Sequence, residues 1–190
     1  KATKLVKLPQ GRIKLEQALF NITGTADLLH DHTIDLQFSG DHPDFKQLFA
    51  FAPANIGKQL EHFHYDGVLG FKGSIKGPIK KGVQPHIELR FSCTNGWLHN
   101  TQTNKKLDSL AFNGYYTNGD SNSLKTSLLR MKNMYARPGQ GLFKGSFSIH
   151  DFADPKVRMQ ISSDLELGFF GSFLGIKDLE RITGRINLKM

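Results

Sequence analysis

The sequence predicts a mainly β protein: an antiparallel curved sheet or groove made of repeated strand–strand–short helix–strand units, with few short α-helices. Three observations predict it. Apolar and polar residues alternate with period two in one segment after another. The composition is turn-rich, with 19 Gly among 190 residues and 15 Phe to fill a core. Long runs of good helix formers are scarce.

In chain order, a strand is expected near Phe20–Ala26. In the next, Thr33 to Phe38, Ile34, Leu36 and Phe38 share one face while Thr33, Asp35 and Gln37 share the other. A short helix follows, because Phe45, Leu48, Phe49 and Ala52 have helical spacing after His42-Pro43-Asp44, a start signal with Pro and an acidic first turn. Strands are expected at Val68–Ile75 and His86–Phe91, the latter setting Ile87, Leu89 and Phe91 against His86, Glu88 and Arg90. Others are expected at Gly96–Asn100, Leu107–Tyr115, Lys125–Lys132 and Phe143–Ile149. In Lys156–Ile161, Val157, Met159 and Ile161 oppose Lys156, Arg158 and Gln160. A second short helix is read from Leu165, Phe169, Phe173 and Ile176 after Ser163-Asp164. A last strand sets Ile186, Leu188 and Met190 against Arg185, Asn187 and Lys189. Asn118-Gly119-Asp120 and Pro138-Gly139-Gln140-Gly141 are turn chemistry.

An internal repeat organises these elements. Phe20-Asn21-Ile22-Thr23-Gly24 pairs with Phe143-Lys144-Gly145-Ser146-Phe147. At the same offset, the run from Asp35 to Asp41 pairs with the run from Arg158 to Asp164. Phe45 and Phe49 then match Phe169 and Phe173, and Gly67-Val68-Leu69-Gly70-Phe71 matches Gly184-Arg185-Ile186-Asn187-Leu188. The expected organisation is one fragment, residues 1–190, with two related units at about 11–76 and 141–190 and a β-rich connection at about 77–140. The chain opens on Lys1 and stops at Met190 inside an alternating pattern, so it reads as a piece of a longer protein. An exposed final strand, Ile182 to Met190, would be an aggregation hazard unless the parent chain paired with it.

Composition excludes several classes. A single Cys, Cys93, leaves no disulfide framework and no cysteine-based zinc site. The longest apolar run, Leu167 to Ile176, is about half the ~20 residues a membrane helix requires. No signal peptide opens the chain. Lys plus Arg number 25 against 17 acids, a net charge of +8. The densest stretch, Lys72, Lys76, Lys80 and Lys81, is interrupted by glycines and Pro78. Such a balance suits a nucleic acid, an anionic lipid or an acidic glycan, or simply a solvated basic surface.

Catalytic and metal signatures are lacking. His30-x-His32 and His62-x-His64 each place two imidazoles on one strand face, but a metal needs three or four convergent ligands, so no metal is expected. No Ser sits in a Gly-x-Ser-x-Gly elbow. Gly139-x-Gly141 is followed by strand-like residues, the wrong context for a dinucleotide turn. Asp164 and Asp178 read as helix N-terminal acids, with Asp41 or Asp44 in the equivalent place. Cys93 reads as a small buried residue. Trp97, Tyr115, Tyr116 and Tyr135 lack the packed aromatic-basic alternation of a nucleic-acid strand, so no nucleic-acid partner is expected. The expectation is a protein that is not an enzyme and needs no cofactor.

Two short helices cannot cover nine or ten strands whose dry faces must be hidden. The sheet must fold on itself as a sandwich, close as a barrel, or curl around something apolar, and period-two alternation is the same in each case.

The run Tyr135-Ala136-Arg137-Pro138-Gly139-Gln140-Gly141-Leu142-Phe143-Lys144-Gly145, then Asp154-Pro155-Lys156 and Asp178-Leu179-Glu180-Arg181-Ile182-Thr183-Gly184, resembles the C-terminal periplasmic region of AsmA-like proteins, closest to the Bacteroidetes-type versions. The resemblance covers most of the chain and rests on small residues and apolar alternation. It implies a periplasmic module of a parent protein anchored in the inner membrane, which contacts the membrane through parts outside this fragment. It also implies a non-enzymatic part in outer-membrane assembly and phospholipid transfer, through an apolar β groove. Phospholipid or another acyl lipid is then the expected partner, with envelope assembly proteins possible beside it. The groove candidates are Ile34, Leu36, Phe38, Ile87, Leu89, Phe91, Phe112, Phe143, Phe147, Val157, Met159, Ile161, Ile186 and Leu188. The alternatives are a closed β scaffold that binds envelope assembly proteins, or a binder of anionic glycan or lipid surfaces.

Overall fold

Strands with one wet and one dry face pair most simply with their neighbours in sequence, and this chain does so throughout. The structure, a computed structural model, describes residues 5–15, 18–28, 32–40, 62–139, 141–166 and 185–189, with Phe169 and Phe173. Ten strands run in the order β1 (Leu5–Leu15), β2 (Ala18–Asp27), β3 (Thr33–Gly40), β4 (Phe63–Pro78), β5 (His86–Asn100), β6 (Lys105–Thr117), β7 (Leu128–Pro138), β8 (Leu142–His150), β9 (Lys156–Glu166) and β10 (Arg185–Lys189). They form one sheet in that same order, and every neighbouring pair is antiparallel. Among the described residues no pairing joins β1 to β10. The sheet is therefore open, and neither a sandwich nor a closed barrel is formed by these strands.

Side chains explain the turns. Between β5 and β6 the Asn100 side-chain oxygen accepts from the backbone N–H of Gln102 (2.9 Å) and Thr103 (3.2 Å). After β8, Asp151 does the same for Ala153 and Asp154, both at 3.1 Å. Such Asx turns offer the backbone an alternative to the ladder and end the strands where they occur.

Four features differ from the sequence reading. His86–Phe91 and Gly96–Asn100 are halves of a single strand, β5. The strand expected from Lys125 begins at Leu128, because Leu124–Thr126 is a turn of 3-10 helix. Thr126 Oγ1 donates to the Asn118 carbonyl (2.6 Å) and Ser127 Oγ to that of Ser123 (2.8 Å), which hold that turn. Strand β1 was not expected at all. Asp164 is no helix N-terminal acid: it lies in β9, paired with Leu142 on one side and Asn187 on the other. A residue with a ladder on both sides stays extended whatever its capping preference.

The helix read from Phe45 to Ala52, and Asp41, Asp44 and Asp178, fall outside the described residues. Of the second expected helix, Phe169 and Phe173 are helical and Leu165 belongs to β9, while Ile176 lies outside the described residues.

Beta-bulges keep the apolar face continuous. Ile87, Leu89, Phe91 and Cys93 are odd-numbered, yet beyond the bulge the residues packing on that face are Leu98 and buried Asn100. The switch occurs where the register slips between Cys93 and Gly96, at Asn95 with φ 54°. Ser109 (φ 55°) lets Leu107 and Leu110 share a face in β6, and Asn133 (φ 52°) lies in the slip between Met131 and Met134 in β7. Each bulge inserts one residue, shifts the alternation by one and adds local twist.

Candidate functional site

The ladders collect most of the apolar residues of β1 to β9 on one face. One row crosses the sheet from Phe38 through Gly73, Leu89, Tyr116, Leu129 and Ile149 to Val157, each opposite the next. A second runs from Phe71 through Phe91, Gly114, Met131 and Phe147 to Met159. Ile34 lies opposite Gly77, Leu36 opposite Ile75 and then Ile87, and Phe112 opposite Cys93. Phe143 lies opposite Ala136. Ile161, Ile186 and Leu188 take register positions opposite Gly145, Leu165 and Ser163, which continue the same parity. Eleven of the fourteen sequence candidates thus share one face of the sheet, and Ile161, Ile186 and Leu188 hold matching register positions.

Burial varies across that face. At the β2–β5 end, Phe20, Phe38, Phe71 and Leu89 form a buried cluster, with the Phe20 and Phe71 rings 5.6 Å apart across the intervening strand. Large rings find room over glycines: a Cβ on Gly114 would sit 2.1 Å from the Phe91 ring, so only glycine lets Phe91 lie across β6. A second cluster gathers Leu69, Cys93, Leu107, Leu110 and Ala136 under Phe173, whose carbonyl accepts from the Asn100 amide at 2.8 Å. Phe169 stacks on Phe173 at 5.6 Å, and Phe152 stacks on Tyr116 at 6.0 Å. Toward the margins the cover ends. Val157 and Met159 are 59% and 51% exposed, and on β1 Val6 and Ile13 are 42% and 49% exposed.

Sequence reasoning missed Phe20, Leu69, Phe71 and Ala136, which are as buried as any candidate it named. Phe71 and Leu69 stood in a predicted strand, and the alternation that selected Phe38 selects them too. Ala136 lies beyond a bulge, where its phase was unreadable.

Burial holds the Cys93 thiol in its neutral form. It is 1% exposed, donates to the Leu110 carbonyl at 3.6 Å, and is pushed up to about 11 by desolvation, against a smaller opposing pull from the Gly96 backbone N–H.

The other face is mainly polar, and two cavities open on it. One, of about 470 Å³, is lined by Asn21, Gln37, Ser39, Lys72, Glu88 and Arg90 among others. The second, of about 750 Å³, adjoins it through Ser39, Lys72 and Arg90 and extends to Arg130 and Lys132. Tyr115 donates its hydroxyl to Glu88 (2.9 Å) and lies under the Arg90 guanidinium, 5.5 Å from the ring centre. Its hydroxyl titrates above its ordinary range, through burial first and the Glu88 carboxylate second. Lys76 is paired with Asp35 at 2.8 Å, and that hydrogen bond raises the ammonium pKa.

Histidines do not assemble a metal centre among the described residues, where no group of three or more His, Cys, Asp or Glu is placed to hold an ion. His62 and His64 bracket the start of β4, and His64 meets His99 edge-on at 6.4 Å. His30 lies outside the described residues. Among the described residues no helix is long and apolar enough to cross a membrane.

No family model matches the chain, and no curated protein or solved structure matches it either.

Proposed function

We propose that the chain is a non-enzymatic lipid-handling module, whose apolar sheet face solvates acyl chains during transfer. One observation carries the reading: among the described residues the sheet is a single layer whose one face is largely apolar from β1 to β9, with large side chains at its margins half-exposed. A soluble sheet buries such a face against a second layer. An acyl chain lying there takes the place of that layer. Each methylene withdrawn from water is worth ~0.8 kcal/mol, so a face spanning several strands removes much of the barrier to moving a two-chain lipid. No catalytic group is needed.

The resemblance to AsmA-like proteins supports placing the module in the periplasm, on a parent anchored in the inner membrane, and serving outer-membrane assembly. Hairpins β2–β3 and β8–β9 support two related units. Ile22 faces Phe38 and Gly145 faces Ile161, so both partners shift by 123 residues together (145 − 22 and 161 − 38).

The test is to purify the protein without detergent, extract it with organic solvent and identify bound lipid by mass spectrometry. Stoichiometric phospholipid is expected. The paired variant Val157→Asp/Met159→Asp changes side chains that are already half-exposed, so it is expected to fold, with a melting temperature close to the parent's, and to retain severalfold less lipid. Equal lipid content in the two proteins, or a well-folded parent free of lipid, would refute the proposal.

A further inference from the structure

The polar face carries a feature that acyl-chain binding does not use. Across the middle of the sheet, Ser39, Lys72, Arg90, Tyr115, Arg130, Ser148 and Arg158 stand opposite one another in turn, one per strand from β3 to β9. Neighbouring strands are ~4.8 Å apart, so Lys72 and Arg90 project side by side, with Arg130 two strands further on. Like charges directly opposite on a sheet destabilise it. Two other cations on this face are neutralised, Lys76 by Asp35 and Lys106 by Asp108, each at 2.8 Å. Lys72, Arg90, Arg130 and neighbouring Lys132 form no ion pair among the described residues. Glu88, the one carboxylate lining either cavity, is already engaged by Tyr115 at 2.9 Å and His86 at 3.8 Å.

These cations also converge on a recess. The cavity of about 750 Å³ that holds Lys72, Arg90, Arg130 and Lys132 contains no carboxylate in its wall, and its size is that of a small-ligand site. Ser92, Asn113 and Tyr115 line it too and offer uncharged donors. The Arg90 guanidinium sits over the Tyr115 ring, 5.5 Å from its centre, a contact that restrains its fork of donors. Guanidinium groups bind phosphate through paired charge-assisted hydrogen bonds, and ammonium groups add point charge.

We infer that this row is a binding site for a ligand carrying two or more phosphate groups, on the face opposite the acyl-binding surface and independent of it. The same chemistry is offered by a soluble oligophosphate compound and by adjacent headgroups of an anionic lipid layer.

Two arms of one experiment separate the sources. Inorganic tripolyphosphate is titrated into the protein by calorimetry at low salt, and the protein is floated with vesicles of phosphatidylglycerol or of phosphatidylcholine. Each arm compares the parent with Lys72→Gln/Arg90→Gln/Arg130→Gln, and with Lys80→Gln/Lys81→Gln/Lys125→Gln, which removes equal charge from exposed turns. Circular dichroism and thermal melts establish that all three are folded. The row variant is expected to weaken binding tenfold or more through lost charge-assisted bonds, and the turn variant by about twofold at most through general screening. Row-dependent binding of tripolyphosphate identifies a soluble ligand class; row-dependent binding confined to phosphatidylglycerol vesicles identifies headgroups. Equal weakening in both variants, or no binding by the parent in either arm, overturns the inference.

Discussion

Cys93 shows how a single residue reports on the sheet's dry side. Its thiol is buried among Leu69, Leu110 and Ala136 and held neutral up to about pH 11, against an ordinary value of 9.0. A thiol whose pKa rises on folding keeps its proton in the native state while the unfolded chain has lost it. Stability therefore falls as pH climbs from about 9 toward 11, because the unfolded state is the one that gains from ionisation. Urea unfolding of the parent and Cys93→Ala between pH 8 and pH 11 is expected to show a steeper loss in the parent. Parallel curves would mean that the thiolate is tolerated where it sits. Tyr115 titrates late for related reasons and adds a slope common to both proteins, so the difference isolates the thiol. Burial of Cys93 was legible from its position in an alternating run. The like-charged neighbours Lys72 and Arg90 were not, since their meeting depends on the β4–β5 register, which alternation within one strand does not encode.

Individual strands were easiest to read where alternation ran unbroken, as in Thr33–Phe38 and Lys156–Ile161. It failed at the bulges. Within β1 the register slips between Leu8 and Gly11, so Val6 and Leu8 on one side and Ile13 on the other fall out of phase, and the eye sees no strand. In β5 the slip near Asn95 made one strand look like two. In β5, β6 and β7 a left-handed residue sits at the bulge, at Asn95, Ser109 and Asn133, and Asn is among the few non-glycine residues that visit that conformation readily. At Asn133 (φ 52°), a β-branched replacement such as Asn133→Val is expected to cost about 1–3 kcal/mol through backbone strain. Asn133→Gly, with no Cβ to clash, is expected to stay within a few tenths of a kcal/mol or to gain slightly. Denaturant melts of the two variants check this. A Val variant as stable as the parent would mean that β7 can re-register without its bulge and send Met134 and Ala136 to the other face.

At the scale of the whole molecule, the ten strands form one layer among the described residues, and its apolar face leaves Val6, Ile13, Val157 and Met159 between 42% and 59% exposed. That exposure matters because the heat capacity of unfolding follows the apolar area newly exposed. A native state that already shows part of its apolar face has less to expose. Compact proteins of 190 residues unfold with roughly 2.3–2.8 kcal/mol/K, at 12–15 cal/mol/K per residue. The lipid-free protein is expected to fall clearly below that range by calorimetry. Refilling the face with phospholipid stabilises only the native state, so the melting temperature should rise with lipid concentration by mass action. The polar-face site predicts a different pattern: tripolyphosphate raises the melting temperature of a protein whose acyl face is full or empty alike, because the two faces of one sheet share backbone but no side chains. If filling the apolar face abolished the phosphate response, the sheet would have to change its curvature on loading, and the two sites would be coupled through its twist.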